Sequence, residues 1–330
     1  GTITLSATNL VHFISPDSTF NKGITVKGQS GVVLSASVTT KSTPTILDAG
    51  TGTLTIVSGV SLFTIDQLLT ITASDLDLNG SINAGTGNIL ITSTQAIELG
   101  ATTGNMQITD DELQHMSTTD LTLGGGSVTV HGITASGMVT LQATSAATDS
   151  ITFRTAASTF NALAASATNG ITLSQSVSTT GASTFNAGTG VLAIAANAGS
   201  LTTGASLTIT ADDINLAGTL SAVVIAVHCA TSGRIVGLGA FDQGLTMEAD
   251  EFQKMSTWSA GLTIGGTNCG SQTINGISKT NSQHVAGVVS LLATQAYARL
   301  VFTGEASTFN SLHAQAGDGV VLQASVNADV

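Results

Sequence analysis

Side chains that could do chemistry gather in two stretches. Ile108–Ile133 reads ITDDELQHMSTTDLTLGGGSVTVHGI and holds Asp111, Glu112, His115 and His131, the ingredients of a carboxylate–imidazole acid–base site. The stretch returns at Met247–Ile277 as MEADEFQKMSTWSAGLTIGGTNCGSQTINGI, with Glu112 and Glu251 139 residues apart. The second copy tests the catalytic idea. Asp111 and Glu112 persist as Asp250 and Glu251, but His115 becomes Lys254 and His131 becomes Asn275. A site that needs imidazole in both copies is excluded. What remains is a structural reading, in which the acidic pair caps a short helical or irregular insertion and Leu113 and Met116 pack inward at i, i+3.

Other candidates weaken in the same way. Asp75-Leu76-Asp77-Leu78-Asn79-Gly80 copies the start of a calcium loop, but position twelve is Thr86 where the loop needs Glu. Leu76 and Leu78 at i, i+2 turn Asp75, Asp77 and Asn79 outward on a strand, so a solvated polar face is the better reading than a surface calcium site. Asp212, Asp213 and Arg234 could form the carboxylate–cation set of a polysaccharide lyase or hydrolase, but paired carboxylates alone are a weak signal, and Ser74 stands for Asp212 in the other copy. No phosphate loop, metal cluster or nucleophile motif stands out. The reading is no enzyme, no catalytic residues, no cofactor and no metal site. Cys229 and Cys269 make either one bridge or two buried small residues. Asn79-Gly80-Ser81 is the one N-glycosylation triplet.

The elements that must position these residues are short strands. Apolar pairs at i, i+2 recur as Val32/Leu34, Leu54/Ile56, Leu76/Leu78 and Ile97/Leu99, in steps of 22, 22 and 21. A second series, Ile24/Val26, Ile46, Leu69/Ile71 and Ile89/Ile91, interleaves with it, and the rhythm returns at Ile171/Leu173, Leu192/Ile194 and Ile214/Leu216. Two phase-locked series at this period predict a parallel β-helix, all-β, of about 15 coils of ~21–22 residues. At ~4.8 Å per coil that is a rod of roughly 70 Å. Ser-Thr-Phe-Asn occurs at 18–21, 158–161, 183–186 and 307–310, which predicts Phe20, Phe160, Phe185 and Phe309 inside and each Asn in a turn. Leu69–Gly80 matches Leu207–Gly218, and Asp48–Leu54 matches Asn186–Leu192, both at an offset of 138. The expected organisation is one continuous solenoid over 1–330, in superrepeats of about 140–150 residues with segments near 1–105, 106–245 and 246–330.

Composition narrows the function classes. Charged residues are 8% and aromatic residues 4%, against about a quarter charged in an ordinary soluble domain. Regularly placed apolar residues argue against disorder. Net charge is -12 with only 8 Lys and Arg, which disfavours nucleic acid and anionic lipid. The most apolar run, Ala222–Val227, is far short of a membrane-spanning helix, and aromatic residues are too few for the girdles of a membrane barrel.

The stretches 110–133 and 250–277 resemble the D-x-E-L…L-x-[IV]-G…I-T-V-x-G pattern in repeat regions of filamentous-haemagglutinin-like surface proteins. The match covers about 50 residues of this chain, and the Gly/Thr/Ala-rich repeats around it share the style. The resemblance implies a long right-handed parallel β-helical shaft, exported to the cell surface for adhesion.

The expected role is a structural subunit of an extracellular fibre or surface appendage. The chain reads as a mature or excised piece that opens and closes in mid-repeat, with strands over Thr2–Leu5 and Val320–Val326. Edges at Thr2, Ile3, Thr4 and Leu5 and at Val320, Val321 and Leu322 are expected to meet their counterparts in neighbouring copies. The partner is the chain itself, end to end, with other surface or matrix components as further candidates. The first alternative is an adhesin stalk whose binding domain lies elsewhere. The second is an ice-binding solenoid face, suggested by Thr2/Thr4, Thr53/Thr55, Thr70/Thr72 and Thr208/Thr210. Those pairs fall in different phases of the coil, and Thr is in any case a good strand residue.

Overall fold

The computed structural model describes residues 2–100, 103–241 and 243–328. The chain is 56% strand and 4% helix. It divides into two compact units, Gly1–Asp149 with Thr159–Asn161, and Ser150–Ser158 with Ala162–Val330. Both are parallel β-solenoids, together about 15 turns.

In the first unit each of the first four coils supplies one strand to each of three faces. Face one stacks Ile3–Ala7, Ile24–Gly28, Thr45–Asp48, Leu69–Thr72, Ile89–Thr92, Asp120–Gly125 and Thr134–Ala143. Face two stacks Leu10–Phe13, Gly31–Leu34, Thr53–Ile56 and Asp75–Leu78, and a separate ladder follows with Met106–Ile108, Ile97–Leu99 and Val128–Val130. Face three runs from Ser18–Thr19 to Met116–Ser117. Along these ladders register is one-to-one, so like residues stack: Val32, Leu54 and Leu76 align, as do Ile171, Leu192 and Ile214 in the second unit. Each of these is at least 97% buried. A Leu or Ile removed from water in this way is worth about 1.5–3 kcal/mol, so small side chains stacked repeatedly can replace a large aromatic core.

One expected column is shifted. Ile46 is 39% exposed, and Leu47 is buried in its place. The pairings Thr25–Ile46–Thr70 and Val26–Leu47–Ile71 put Ile46 on the outer face. The inward partner of Leu69 is Thr45, whose hydroxyl bonds Thr40 at 2.6 Å inside the coil. In the second unit Thr179, Ser183 and Thr203 form a similar buried hydroxyl chain. These interior hydroxyls satisfy one another, which removes the penalty of burying them.

Phe160, Phe185 and Phe309 lie inside as expected, and Phe20 is half-buried in an outer coil. Asn161 and Asn186 remain in strand, whereas Asn21 and Asn310 sit in bends. The corners show why Gly recurs. At Asp48-Ala-Gly, Asn83-Ala-Gly and Asn186-Ala-Gly the side-chain oxygen accepts from the Gly N–H at 2.9–3.0 Å, and each Gly has φ near +60°. Only Gly adopts that conformation without cost.

In the second unit the strands Ser200–Ala211, Thr219–Cys229 and Met255–Gly265 run through a corner and merge two faces. Ser200–Ala211 accordingly pairs with Val177–Thr179 and with Ser183–Asn186.

Candidate functional site: two motif clamps and the outer strand edges

Each motif copy ends a ladder. In the first, the four-strand ladder of face two stops at Asp75–Leu78. Side chains then replace a partner strand. Asp75 Oδ1 accepts the Gln107 N–H at 3.0 Å. Helix α1, Asp110–Gln114, starts at the N-cap Thr109, and Glu112 folds back to accept the Thr109 N–H at 2.8 Å. The other oxygen of Glu112 accepts the Leu78 N–H at 2.9 Å, and His115 Nδ1 lies 3.1 Å from the Leu78 carbonyl. Glu112 and His115 thus clamp both main-chain polar groups of Leu78.

The second copy repeats the device. Asp213 Oδ1 accepts from Thr246 N–H and hydroxyl, both at 2.9 Å. Helix α2, Ala249–Gln253, carries Glu251, which accepts the Glu248 N–H and the Leu216 N–H, both at 2.8 Å. Lys254 Nζ donates to the Leu216 carbonyl at 2.7 Å. The change from His115 to Lys254 exchanges one donor for another. Burial pushes the Glu251 carboxyl above its ordinary range, against the pull of the two backbone donors. The apolar side of each helix packs inward: Leu113 and Phe252 are buried, Met255 is buried, and Met116 is half-buried. Phe252 meets Phe309 edge-on at 6.3 Å.

The other chemical candidates are fasteners too. Asp212 is buried and accepts from Thr231 N–H and hydroxyl. Arg234 donates to the carbonyls of Asp212 and Gly244, each at 2.9 Å. Asp77 accepts from Asn79, so the carboxamide of the glycosylation triplet is tied to its own strand. His131 Nε2 lies 2.7 Å from Glu98, and its counterpart Asn275 instead bonds Ala240 and Glu305. Among the described residues no group of three or more His, Cys, Asp or Glu is placed to hold a metal. Cys229 and Cys269 are joined in a disulfide that ties Thr219–Cys229 to Cys269–Asn275.

The outer strand edges are Ile3–Ala7, which pairs with Ile24–Gly28, and Val320–Leu322, which pairs with Leu300–Phe302. Val320–Val326 is not a single strand: Gln323–Ser325 bends the chain, and Val326–Ala328 forms a second strand on Ser307–Phe309. Ile3 is 45% exposed beside Ile24 at 2%, and Leu322 is 65% exposed beside Phe302 at 1%. Thr2, Thr4 and Val320 are exposed, and Leu5 and Val321 are half-buried.

Sequence reasoning read the acidic pair as a helix cap but missed its second bond. Leu78 and Glu112 lie 34 residues apart, and the only available signal was that Asp75 and Glu112 recur together as Asp213 and Glu251. In comparisons with protein-family models, with curated proteins and with solved structures, nothing matches this chain.

Proposed function

We propose that this chain is a structural element of an extracellular fibre or surface appendage, in which its outer coils stack on those of neighbouring copies. The observation that carries this reading is the contrast between Ile3 and Ile24 and between Leu322 and Phe302. These pairs occupy the same columns, but one member of each has no coil on its outer side among the described residues. A further coil in register would bury that surface and pair the open edge, at a gain of about 1.5–3 kcal/mol for each large side chain. The resemblance of 110–133 and 250–277 to filamentous-haemagglutinin-like repeats supports a place at the cell surface. The clamped, charge-poor coils suit a mechanical role, since Glu112, Glu251, Asp212 and Asp213 are bonded to backbone.

Electron microscopy of the native material at neutral pH tests the proposal. Long fibres of uniform width are expected, and Ile3→Asp with Leu322→Asp should shorten them. Isolated short particles at high concentration would overturn it. The ice-binding alternative draws no support from the outer column of face one, where Ile46 and Leu90 interrupt Thr4, Thr25, Thr70, Thr122 and Thr140.

A further inference from the structure

The second motif copy covers a place that the first leaves open. Met116, Thr118 and Leu121 correspond to Met255, Thr257 and Leu262, but the coil that follows is not of the same length in the two copies. Ile133 and Val139 have five residues between them, whereas Ile277 and Val289 have eleven. The equivalences are structural: Leu121 pairs with Val139 as Leu262 pairs with Val289. Likewise the carbonyls of Ile133 and Ile277 accept from Thr159 and Thr308.

In the second copy the longer connection folds onto the motif. It forms helix α3, Lys279–Ser282, capped by Ser278, and then an extended run. Val285 bridges Thr257 in parallel and is fully buried. The Thr257 N–H donates to the His284 carbonyl, and the Ala286 N–H donates to the Thr257 hydroxyl, both at 3.1 Å. Asn281 ties the connection to α2 by donating to the Ala249 carbonyl at 2.9 Å. Under this cover Met255 is 0% exposed and Thr257 3%.

The first copy lacks the cover. Face three ends at Met116–Ser117, whose paired neighbour is Ser81–Asn83. Thr134–Ala143 does not take the next place, since it pairs with Asp120–Gly125 only from Met138 onward. Met116 and Thr118 stay half-buried, and among the described residues no carbonyl accepts the Thr118 N–H. A groove of about 350 Å³ remains here, lined by the apolar side chains of Met116, Leu121 and Met138 and by the polar Gln114 and Thr118.

The second copy shows what chemistry fills such a place. A strand end with an unaccepted N–H takes a main-chain carbonyl, and the apolar lining beside it takes an aliphatic side chain. One extended peptide supplies both at the right spacing. We propose that this groove binds an extended segment of a partner protein, laid parallel to Met116–Thr118 as residues 283–286 lie on Met255–Thr257. A carbonyl of the segment accepts the Thr118 N–H. The β-branched aliphatic side chain of the next residue enters the groove, and the N–H after it meets the Thr118 hydroxyl. The site does not depend on assembly of the outer coils.

The test uses the full chain and a fluorescently labelled synthetic peptide of residues 278–287, Ser-Lys-Thr-Asn-Ser-Gln-His-Val-Ala-Gly. The chain's own copy of this run already covers the second motif, so the open place is the first. A saturable rise in anisotropy is expected, and a peptide with Val285→Asp should bind about tenfold or more weakly. Met138→Glu in the chain should weaken the parent peptide about as much. That variant should melt as the parent does, because Met138 is 38% exposed. A chain in which residues 278–288 replace 134–138 fills the groove from within and should bind no peptide. No saturable binding would overturn the proposal. So would parental affinity in Met138→Glu, which would put the peptide elsewhere on the chain.

Discussion

The two motif copies hold their backbone in the same way and differ in what they carry outside it. In both, an Asp and a Glu receive main-chain N–H groups where a ladder stops, and a cation or imidazole meets the carbonyl of the residue that the Glu holds. The first copy adds the contact of His131 with Glu98. The second is fastened by a disulfide, covered by α3 and decorated with Trp258. Positions that repeat between the copies answer to backbone accounting, because a buried polar group without a partner costs more than most contacts return. Positions that differ either keep the same duty with another donor, as His115 and Lys254 do, or lie outside the clamp, as Trp258 does.

The sharpest way to break the comparison is the disulfide. Replacing both Cys229 and Cys269 with Ser should destabilise the second unit by roughly 4 kcal/mol, from the 40-residue separation that the bridge closes. Denaturant unfolding followed by Trp258 fluorescence would show it. An unchanged midpoint would mean that the clamp alone holds that copy.

Next come the clamps themselves. Glu112→Ala and Glu251→Ala each strand two backbone donors, and each should cost about 2–3 kcal/mol. Equal losses would show that the two devices are energetically one. A loss confined to Glu112→Ala would show that α3 and the disulfide have taken over in the second copy. For the carbonyl side, His115→Lys should stay within about 0.5 kcal/mol of the parent, and His115→Ala should lose about 1 kcal/mol. If Lys is as damaging as Ala, the donor equivalence is wrong.

The interior of the second unit offers a gain. Gln272 is fully buried; its Nε2 donates to the carbonyls of Ile264 and Leu292, and its Oε1 is unpaired. Gln272→Glu should destabilise strongly, while Gln272→Met should be neutral or stabilising by about 1 kcal/mol, the removed oxygen penalty offsetting the loss of the two 3.0 Å bonds.

The smallest effect is in pH. Burial raises the Glu251 pKa above its ordinary value of 4.5. The native state therefore binds the proton more tightly than the unfolded chain does. Its contribution is fully present below 4.5 and is lost as pH rises through the raised native value. Asp66 has the opposite sign. The Thr86 N–H and hydroxyl lower its pKa, so its contribution is present above its ordinary value of 3.8 and is lost as pH falls through the lowered one. Glu251→Gln should flatten the stability profile just above pH 4.5. Melting curves across that window check the sign.

The coils were legible because stacking imposes a period, and a period survives in a sequence without any knowledge of contacts. The reading failed where one column changed residue class. At Thr45-Ile46-Leu47 two apolar residues stand side by side, and a buried Thr holds the inward place that an apolar-pair rule gives to Ile46. The third corner, Asn83-Ala-Gly-Thr-Gly, was in plain view, since it is identical to residues 186–190. The clamps were half legible. Capping is local and leaves a local signature, but the bond from Glu112 to Leu78 closes only when one coil lies on another.

The end of the ladder at Asp75–Leu78 also affects how the first unit bends. Faces one and three carry main-chain pairing straight past this level, through Leu69–Thr72, Ile89–Thr92 and Asp120–Gly125 on one side and Ser81–Asn83 with Met116–Ser117 on the other. Face two crosses it on carboxylate side chains, which are longer and rotatable. A load across the stack would therefore open the seam on face two while the other two faces act as its spine.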